Sequence, residues 1–122
     1  MTKLTDESVL HEMVKFLSSS KRAAWIYGDY MHIFVRKSKR FIRHETTILE
    51  NCFDLANINV EEEHQGKGIF SDVLVQFVHE FPHLNIYIES IINPSIEHIC
   101  RKHGFVEINS NSECKNMVRI GS

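Results

Sequence analysis

Two glycines flank a lysine at Gly66-Lys67-Gly68, between a strand-like segment and a helix-like segment. The preceding residues 53–60 alternate as a strand does, and apolar residues after Gly68 recur at helical spacing. A glycine turn that opens a helix directs backbone N–H groups and the positive end of the helix dipole at one point. This arrangement suits phosphate or pyrophosphate, although a helix-opening turn without a ligand stays open on the glycines alone.

Two common phosphate-binding motifs do not fit this turn. A P-loop needs GxxxxGK followed by serine or threonine, and neither that spacing nor that hydroxyl is present. A dinucleotide fingerprint needs a third glycine where this chain has Ser71. The turn therefore needs its wider sequence context for an assignment.

That context supplies a resemblance to a known family. Residues 60–70, VEEEHQGKGIF, resemble the acyl-CoA signature of the GCN5-related N-acetyltransferases, Q/R-x-x-G-x-G/A after a valine-ending strand. Residues 93–105, NPSIEHICRKHGF, resemble the second family block, N-x-x-A-x-x-L-Y-x-K-x-G-F. The resemblance covers residues 53–105. It implies acetyl transfer from acetyl-CoA to an amine by direct attack in a ternary complex.

The resemblance also implies a set of cofactor-binding residues. Backbone amides of residues 65–70 would hold the pyrophosphate of acetyl-CoA, and residues 58–60, near a bulge, would pair with its pantetheine arm. An amide there would polarise the thioester carbonyl. Strands 52–60 and 84–90 would separate to admit the cofactor. The implied residues are Ile58, Asn59, Val60, Gln65, Gly66, Lys67, Gly68, Ile69, Phe70 and Asn93.

Two positions depart from the family pattern. Phe70 stands where the first block ends in glycine or alanine, so its side chain must point away from the cofactor. Cys100 stands where the family has a tyrosine that often protonates the leaving thiolate. A cysteine, with a reference pKa near 8.5, can donate a proton, but a buried structural thiol is the alternative. Water would then protonate the thiolate.

Two carboxylates are candidate bases, because an ammonium group must lose a proton before it attacks. Asp54 lies six residues before Val60, where the histone-acetylating branch of the family carries a carboxylate. Glu89 lies on the neighbouring predicted strand. The candidate catalytic residues are thus Asp54, Glu89 and Cys100, with a solvated or salt-bridged role as the alternative for each carboxylate.

Rival functions rest on weaker patterns. His79 and His83 match the zinc motif HExxH, but Pro82 interrupts the helical turn that the two ligands need, so no metal is expected. Residues 35–41, VRKSKRF, predict a basic hairpin that turns at Lys37-Ser38. A non-catalytic acyl-CoA-binding module, or a protein- or nucleic-acid-binding module on the same fold, is therefore the alternative function.

The pattern of elements predicts an α/β fold with a mixed, mostly antiparallel sheet and a central parallel strand–helix–strand unit. A first helix runs to Leu17 and is followed by three strands, of which the last two, 30–36 and 39–43, flank the basic turn. Residues 44–51 are expected to form a loop or an irregular edge. Further strands are expected at 52–60, 84–90, 106–108 and 116–120, with helices at 68–81 and 94–103. This is the acyl-CoA N-acyltransferase fold that the resemblance implies.

Length, composition and charge limit the number of domains and the classes of partner. The 122 residues predict one domain, 1–122, and 43% hydrophobic content is ordinary for a globular protein. A net charge of −2 gives no overall basic field for nucleic acid. Three cysteines, Cys52, Cys100 and Cys114, form no disulfide or zinc pattern. With no signal-peptide or membrane-spanning pattern, we expect a cytoplasmic protein, and pairing of the final strands between chains is one route to a homodimer.

Overall fold

The computed structural model describes residues 5–42, 47–91, 93–108 and 115–121, so Cys114 lies outside the described residues. Helices and strands follow one another in the order that the sequence predicts, except that the second and third predicted strands form one continuous strand. In chain order they are α1 (Glu7–Ser18), β1 (Ala23–Tyr27), β2 (Met31–Ile42), β3 (Thr47–Val60), a 3₁₀ turn (Glu62–His64), α2 (Ile69–Glu80), β4 (Asn85–Ile91), α3 (Pro94–Lys102), β5 (Val106–Glu107) and β6 (Lys115–Arg119).

In the described part of the chain, all strands join one sheet in the order β1-β2-β3-β4-β6-β5. Neighbouring strands are antiparallel except β3 and β4, which are parallel. A parallel pair needs a crossover, and α2 provides it. The α/β fold with a mixed sheet and a central parallel strand–helix–strand unit is therefore confirmed.

The main core lies between the sheet and the three helices. Each helix buries its apolar stripe in one cluster with the inward residues of β2, β3 and β4. A smaller cluster on the opposite face covers the β3, β4 and β6 region. Its members are Leu49, Cys52, Tyr87, Ile108 and Val118. Among the described residues, no helix is long and apolar enough to span a membrane.

The predicted basic hairpin is wrong, because β2 runs without a turn through Lys37 and Ser38. Its ladder with β3 pairs Lys37 with Phe53 and Ser38 with Cys52. Lys-Ser lacks the glycine or asparagine that a tight hairpin turn requires, so strand pairing decides the conformation. Arg36 and Lys37 consequently point to opposite faces of the sheet. Lys37 donates to the Ser19 carbonyl on the helix side, rather than joining a basic patch.

Of the loop or irregular edge expected over 44–51, the loop is wrong for the second half, because β3 begins at Thr47 and continues irregularly to Cys52. Residues 43–46 lie outside the described residues. The β2–β3 register shifts between the pairs Ser38↔Cys52 and Arg40↔Leu49, which leaves one extra residue on β3. Asn51 lies in this bulge with a φ of 53°. The bulge interrupts the alternation of side chains, which is why the sequence pattern indicates a strand only from Cys52 onward.

Candidate active site

The candidate site begins where β3 and β4 separate. Among the described residues, their parallel pairing runs from Cys52↔Asn85 to Leu55↔Ile88 and then ends. The β2–β3 register shifts between Phe34↔Asn57 and Val35↔Leu55, so β3 bulges at Ala56. The strand separation and the bulge expected from the sequence are both present.

β4 also leaves its regular path at this point. Ser90 has a φ of 57°, which is uncommon for a residue other than glycine. Its N–H donates to the Asn116 Oδ1 atom at 2.9 Å, and the β4–β6 register shifts between Ile88 and Ile91. Because both strands bulge beyond their last shared pair, a cleft opens between them.

The cleft has a volume of about 820 Å³ and lies between the end of β3, the glycine turn, the end of β4 and the start of α3. Nine of the ten predicted cofactor-binding residues line it, and Lys67 is the exception. The lining includes Ile58, Asn59, Val60, Gln65, Gly66, Gly68, Ile69, Phe70 and Asn93.

The glycine turn has the geometry of an anion-binding site. Gly66 and Gly68 have φ values of 78° and 77°, which glycine adopts without the strain that other residues meet. A Cβ added at either position would meet nothing within 4 Å, so the space beside both glycines is open. Gly68 is the N-cap of α2, and the first backbone N–H groups of this helix lack intrahelical partners. The Gln65 side chain fixes the turn by donating to the Val60 carbonyl at 3.0 Å.

Phe70 and Asn93 line the cleft and also stabilise the helices that border it. The Phe70 side chain is 4% exposed and belongs to the main core, so it points away from the open space as expected. Asn93 is the N-cap of α3, where its Oδ1 atom accepts the Ser95 N–H at 2.8 Å. The helix starts that border the cleft are therefore fixed by packing and capping.

An ionic network crosses the sheet at the point where β3 and β4 separate and the cleft opens. Asp54 is fully buried and accepts from the Nε atom of Arg36 at 2.7 Å and the hydroxyl of Ser38 at 2.8 Å. A terminal nitrogen of Arg36 donates to the Oε1 atom of Glu89 at 3.0 Å. Glu89 lines the cleft. The two predicted base candidates are thus joined through one guanidinium.

Comparison with known proteins identifies the architecture. No family model matches the chain, and no curated protein matches it in sequence. Among solved structures, a histone acetyltransferase and related acetyltransferase from Corynebacterium glutamicum is similar, with 12% identity, a TM-score of 0.58, and 93% of this chain and 73% of that chain covered. An N-acetyltransferase from Thermoplasma acidophilum in complex with coenzyme A has 15% identity and a TM-score of 0.54, covering 93% and 70%. An acetyltransferase from Thermus thermophilus has 15% identity and a TM-score of 0.54, covering 88% and 70%.

The chain has the fold of the GCN5-related N-acetyltransferases. In this acetyltransferase fold, Cys100 lies inside the main core with no exposed surface. Burial, with a contribution from the charge of Glu97, raises the pKa of the thiol to about 12. Among the described residues, Cys100 and Asp54 are not part of the cleft lining, whereas Glu89 is.

The zinc-like pattern does not form a helical pair in this acetyltransferase fold. α2 contains His79 but ends at Glu80, so His83 lies beyond the helix. Two histidines one turn apart on a helix are what the HExxH motif requires. The predicted break at Pro82 is confirmed.

Sequence reasoning missed several residues of the site, among them Arg36, Ser90 and His64. Arg36 was assigned to the basic hairpin, and only the register of β2 with β3 shows that it pairs with Asp54. Ser90 and His64 line the cleft without any sequence signal. The His64 ring lies 4.7 Å from the Tyr30 ring in an edge-on contact. Such contacts depend on the fold and are not encoded in a local pattern.

Proposed function

We propose that this protein transfers the acetyl group of acetyl-CoA to a primary amine by direct attack in a ternary complex. The observation that carries the proposal is the open cleft between β3 and β4, bordered by the left-handed glycines Gly66 and Gly68. A diphosphate fits there because backbone N–H groups and the N-terminus of α2 favour negative charge. The similar acetyltransferase structures support the same assignment.

The end of β3 is suited to the extended arm of the cofactor. From the bulge at Ala56 to Val60, β3 pairs with β2 on one side and borders the cleft on the other. An extended ligand can pair with such a strand edge through backbone hydrogen bonds. The bulge turns a backbone amide out of the regular ladder, where it can donate to the thioester carbonyl.

Acetyl-CoA supplies an activated acyl group as a thioester. Glu89 takes a proton from the incoming ammonium group, and the neutral amine attacks the carbonyl carbon as the bond between carbon and sulfur breaks. The departing thiolate takes a proton from water, because the buried Cys100 lies in the core instead of the cleft. Residues 65–70 and the cleft-facing side of β3 hold acetyl-CoA. Asp54 supports Glu89 through Arg36, which contacts both carboxylates.

Calorimetric titration of acetyl-CoA and of free CoA tests the cofactor site. We expect micromolar binding by the wild-type protein and loss of binding in Gly66→Glu, which places a side chain and a negative charge in the open space. Gly66→Ala and Gly104→Ala form a matched pair, since both glycines have positive φ, 78° and 89°. Only the Gly66 change should weaken binding, because Gly104 lies at the end of α3.

Three outcomes separate the proposed function from its alternative. Binding followed by acetylation of a lysine peptide, an N-terminal peptide, a polyamine or a small alkyl amine supports the transferase. Binding without transfer to this panel supports a non-catalytic acyl-CoA-binding module. No binding at about millimolar acetyl-CoA, roughly −4 kcal/mol of binding free energy, overturns both.

A further inference from the structure

Three charged side chains lie in a row on consecutive strands at the point where the cleft opens. They are Arg36 on β2, Asp54 on β3 and Glu89 on β4. We propose that Arg36 is a positioning residue that holds the Glu89 carboxylate at the mouth of the cleft, where it receives the ammonium group of the acceptor. This inference rests on the proposed acetyltransferase function and deepens it by naming the residue that directs the base.

Asp54 fixes the position of Arg36. The two residues are direct partners in the β2–β3 ladder, and Asp54 has no exposed surface. A buried carboxylate strongly retains a charged partner, because separating the pair would leave an uncompensated charge. With the Nε atom held at 2.7 Å from Asp54, the planar guanidinium has little freedom to turn. Its terminal nitrogen is thereby aimed across β3 toward β4.

Glu89 stands at the first position beyond the shared ladder. The last pair of β3 and β4 is Leu55↔Ile88, so the next residue on β4 lies at the mouth of the cleft. The Glu89 side chain is 34% exposed, compared with 0% for Asp54. One of its oxygens accepts from Arg36 at 3.0 Å, and a carboxylate has a second oxygen for another donor. Glu89 is therefore the carboxylate of this pair that an acceptor can reach.

The charge balance of the row favours a cationic acceptor. Two carboxylates share one guanidinium, so the formal charges of these three side chains sum to one negative charge. Burial alone would lower the pKa of Arg36, but hydrogen bonds and charges from Asp54 and Glu89 outweigh it and raise this pKa. Arg36 thus stays protonated, and its charge holds Glu89 without neutralising the pair. An alkyl amine that arrives as ammonium matches the remaining negative charge.

The substitution Arg36→Lys tests the inference, because lysine keeps the charge but has one nitrogen instead of a rigid fork. We expect this nitrogen to stay with the buried Asp54 and to release Glu89. A crystal structure should show Glu89 away from its present position, and kcat with an alkyl amine should fall at least about tenfold. The KM for acetyl-CoA should stay unchanged. Lys39→Gln is the matched control, since Lys39 forms an exposed ion pair with Glu50 on the same strand pair.

A mutant cycle identifies the residue through which Arg36 acts. In a Glu89→Gln background, Arg36→Lys should cause little further loss of kcat, because the side chain that it positions has already lost its charge. If Arg36→Lys does not fold well, the double substitution Arg36→Gln/Asp54→Asn replaces the ion pair by a neutral pair. The same release of Glu89 is expected in its crystal structure.

Two results would overturn the inference. One is a crystal structure of Arg36→Lys in which Glu89 keeps its position together with unchanged kcat. The other is an equal kcat loss with and without the Glu89→Gln change. A wild-type protein that acetylates no amine would overturn the proposed function and the acceptor role of Glu89, whereas the crystal structure would still decide whether Arg36 positions Glu89.

Discussion

The Asp6 carboxylate accepts the backbone N–H of Tyr30 at 2.8 Å, which ties the start of α1 to the turn between β1 and β2. The same carboxylate accepts the N–H groups of Asp29 and Val9, each at 3.2 Å, and the hydroxyl of Ser8. Asp6 is thus the N-cap of α1 and also the anchor of a hairpin. Its side chain has no exposed surface.

Replacing Asp6 by alanine should destabilise the fold. Loss of the N-cap alone costs about 1 kcal/mol, and the unpaired N–H groups of the hairpin add a further cost of similar size. Urea unfolding measures the change in free energy. Asp29→Asn, an exposed carboxylate in the same turn, is the control and should leave the unfolding midpoint nearly unchanged. Equal midpoints for Asp6→Ala and wild type would contradict the anchoring role.

The Asp6 carboxyl should also make stability depend on pH. Burial alone would raise its pKa, but hydrogen bonds from Ser8, Tyr30, Val9 and Asp29 outweigh burial and lower the pKa below its usual 3.8. A lowered folded-state pKa means that the stabilisation is present above the unfolded pKa and is lost as the pH falls through the folded one. Urea midpoints measured from about pH 6 to pH 2 should therefore fall less steeply in Asp6→Asn than in the wild type.

Gly28 should not tolerate a side chain. A Cβ at this position would lie 2.2 Å from Val9 Cγ2 and 2.4 Å from Asp6 Oδ2, both on buried residues. Gly28→Ala must therefore displace α1, at a cost of about 1–3 kcal/mol. Thermal unfolding tests this expectation. In the control Gly104→Ala, the added Cβ lies 3.8 Å from its nearest neighbour and adds backbone strain alone. A smaller loss for Gly28→Ala than for Gly104→Ala would contradict it.

Cys100 should behave as a core residue and not as an acid. Its burial raises the pKa of the thiol to about 12, far above the range in which a proton donor works well near neutrality. Cys100→Ala should cost about 1 kcal/mol of stability and leave kcat within about twofold of the wild type. Cys52→Ala, which changes a buried thiol in the smaller core, is the matched control. If Cys100→Ala lowers kcat and Cys52→Ala does not, Cys100 protonates the leaving thiolate, as the tyrosine of the family does.

The sequence predicts the parallel strand–helix–strand unit well, because its signals are local. Helical spacing defines α2, Gly68 and Pro82 mark its ends, and Pro94 marks the start of α3. These features depend on residues close together in the chain. The same is true of the glycine turn, whose open geometry follows from the requirement of positive φ.

The outer strands and the ionic row are not predictable in this way. The bulge at Ala56 is implied by the family resemblance and the bulge at Asn51 is not, and no local residue type indicates either shift of register. The contact of Arg36 with Glu89 joins positions 53 residues apart. Lys37-Ser38 was mistaken for a turn for the same reason, since the partner strand decides whether such a dipeptide continues a strand.

Glu89 and Asp54 should respond differently when each carboxylate is replaced by the corresponding neutral amide. Glu89→Gln removes the proposed base, and kcat/KM for an alkyl amine should fall about 10²- to 10⁴-fold with little change in unfolding. An aromatic amine such as aniline is neutral near pH 7 and needs no proton removed before attack, so its kcat/KM should fall much less. Parallel assays of the two amines therefore separate loss of the base from loss of the binding site.

Asp54→Asn is the matched comparison, because it neutralises the carboxylate that is fully buried. Arg36 is 29% exposed and keeps Glu89 as a partner, so the weakened hydrogen bonds should cost about 1–3 kcal/mol, and this variant should show its main effect in urea unfolding. Its kinetic loss should reflect displacement of Arg36 and should affect the alkyl amine more than aniline. If Asp54→Asn unfolds like the wild type but loses kcat/KM for the alkyl amine, while Glu89→Gln keeps it, then Asp54 is the base.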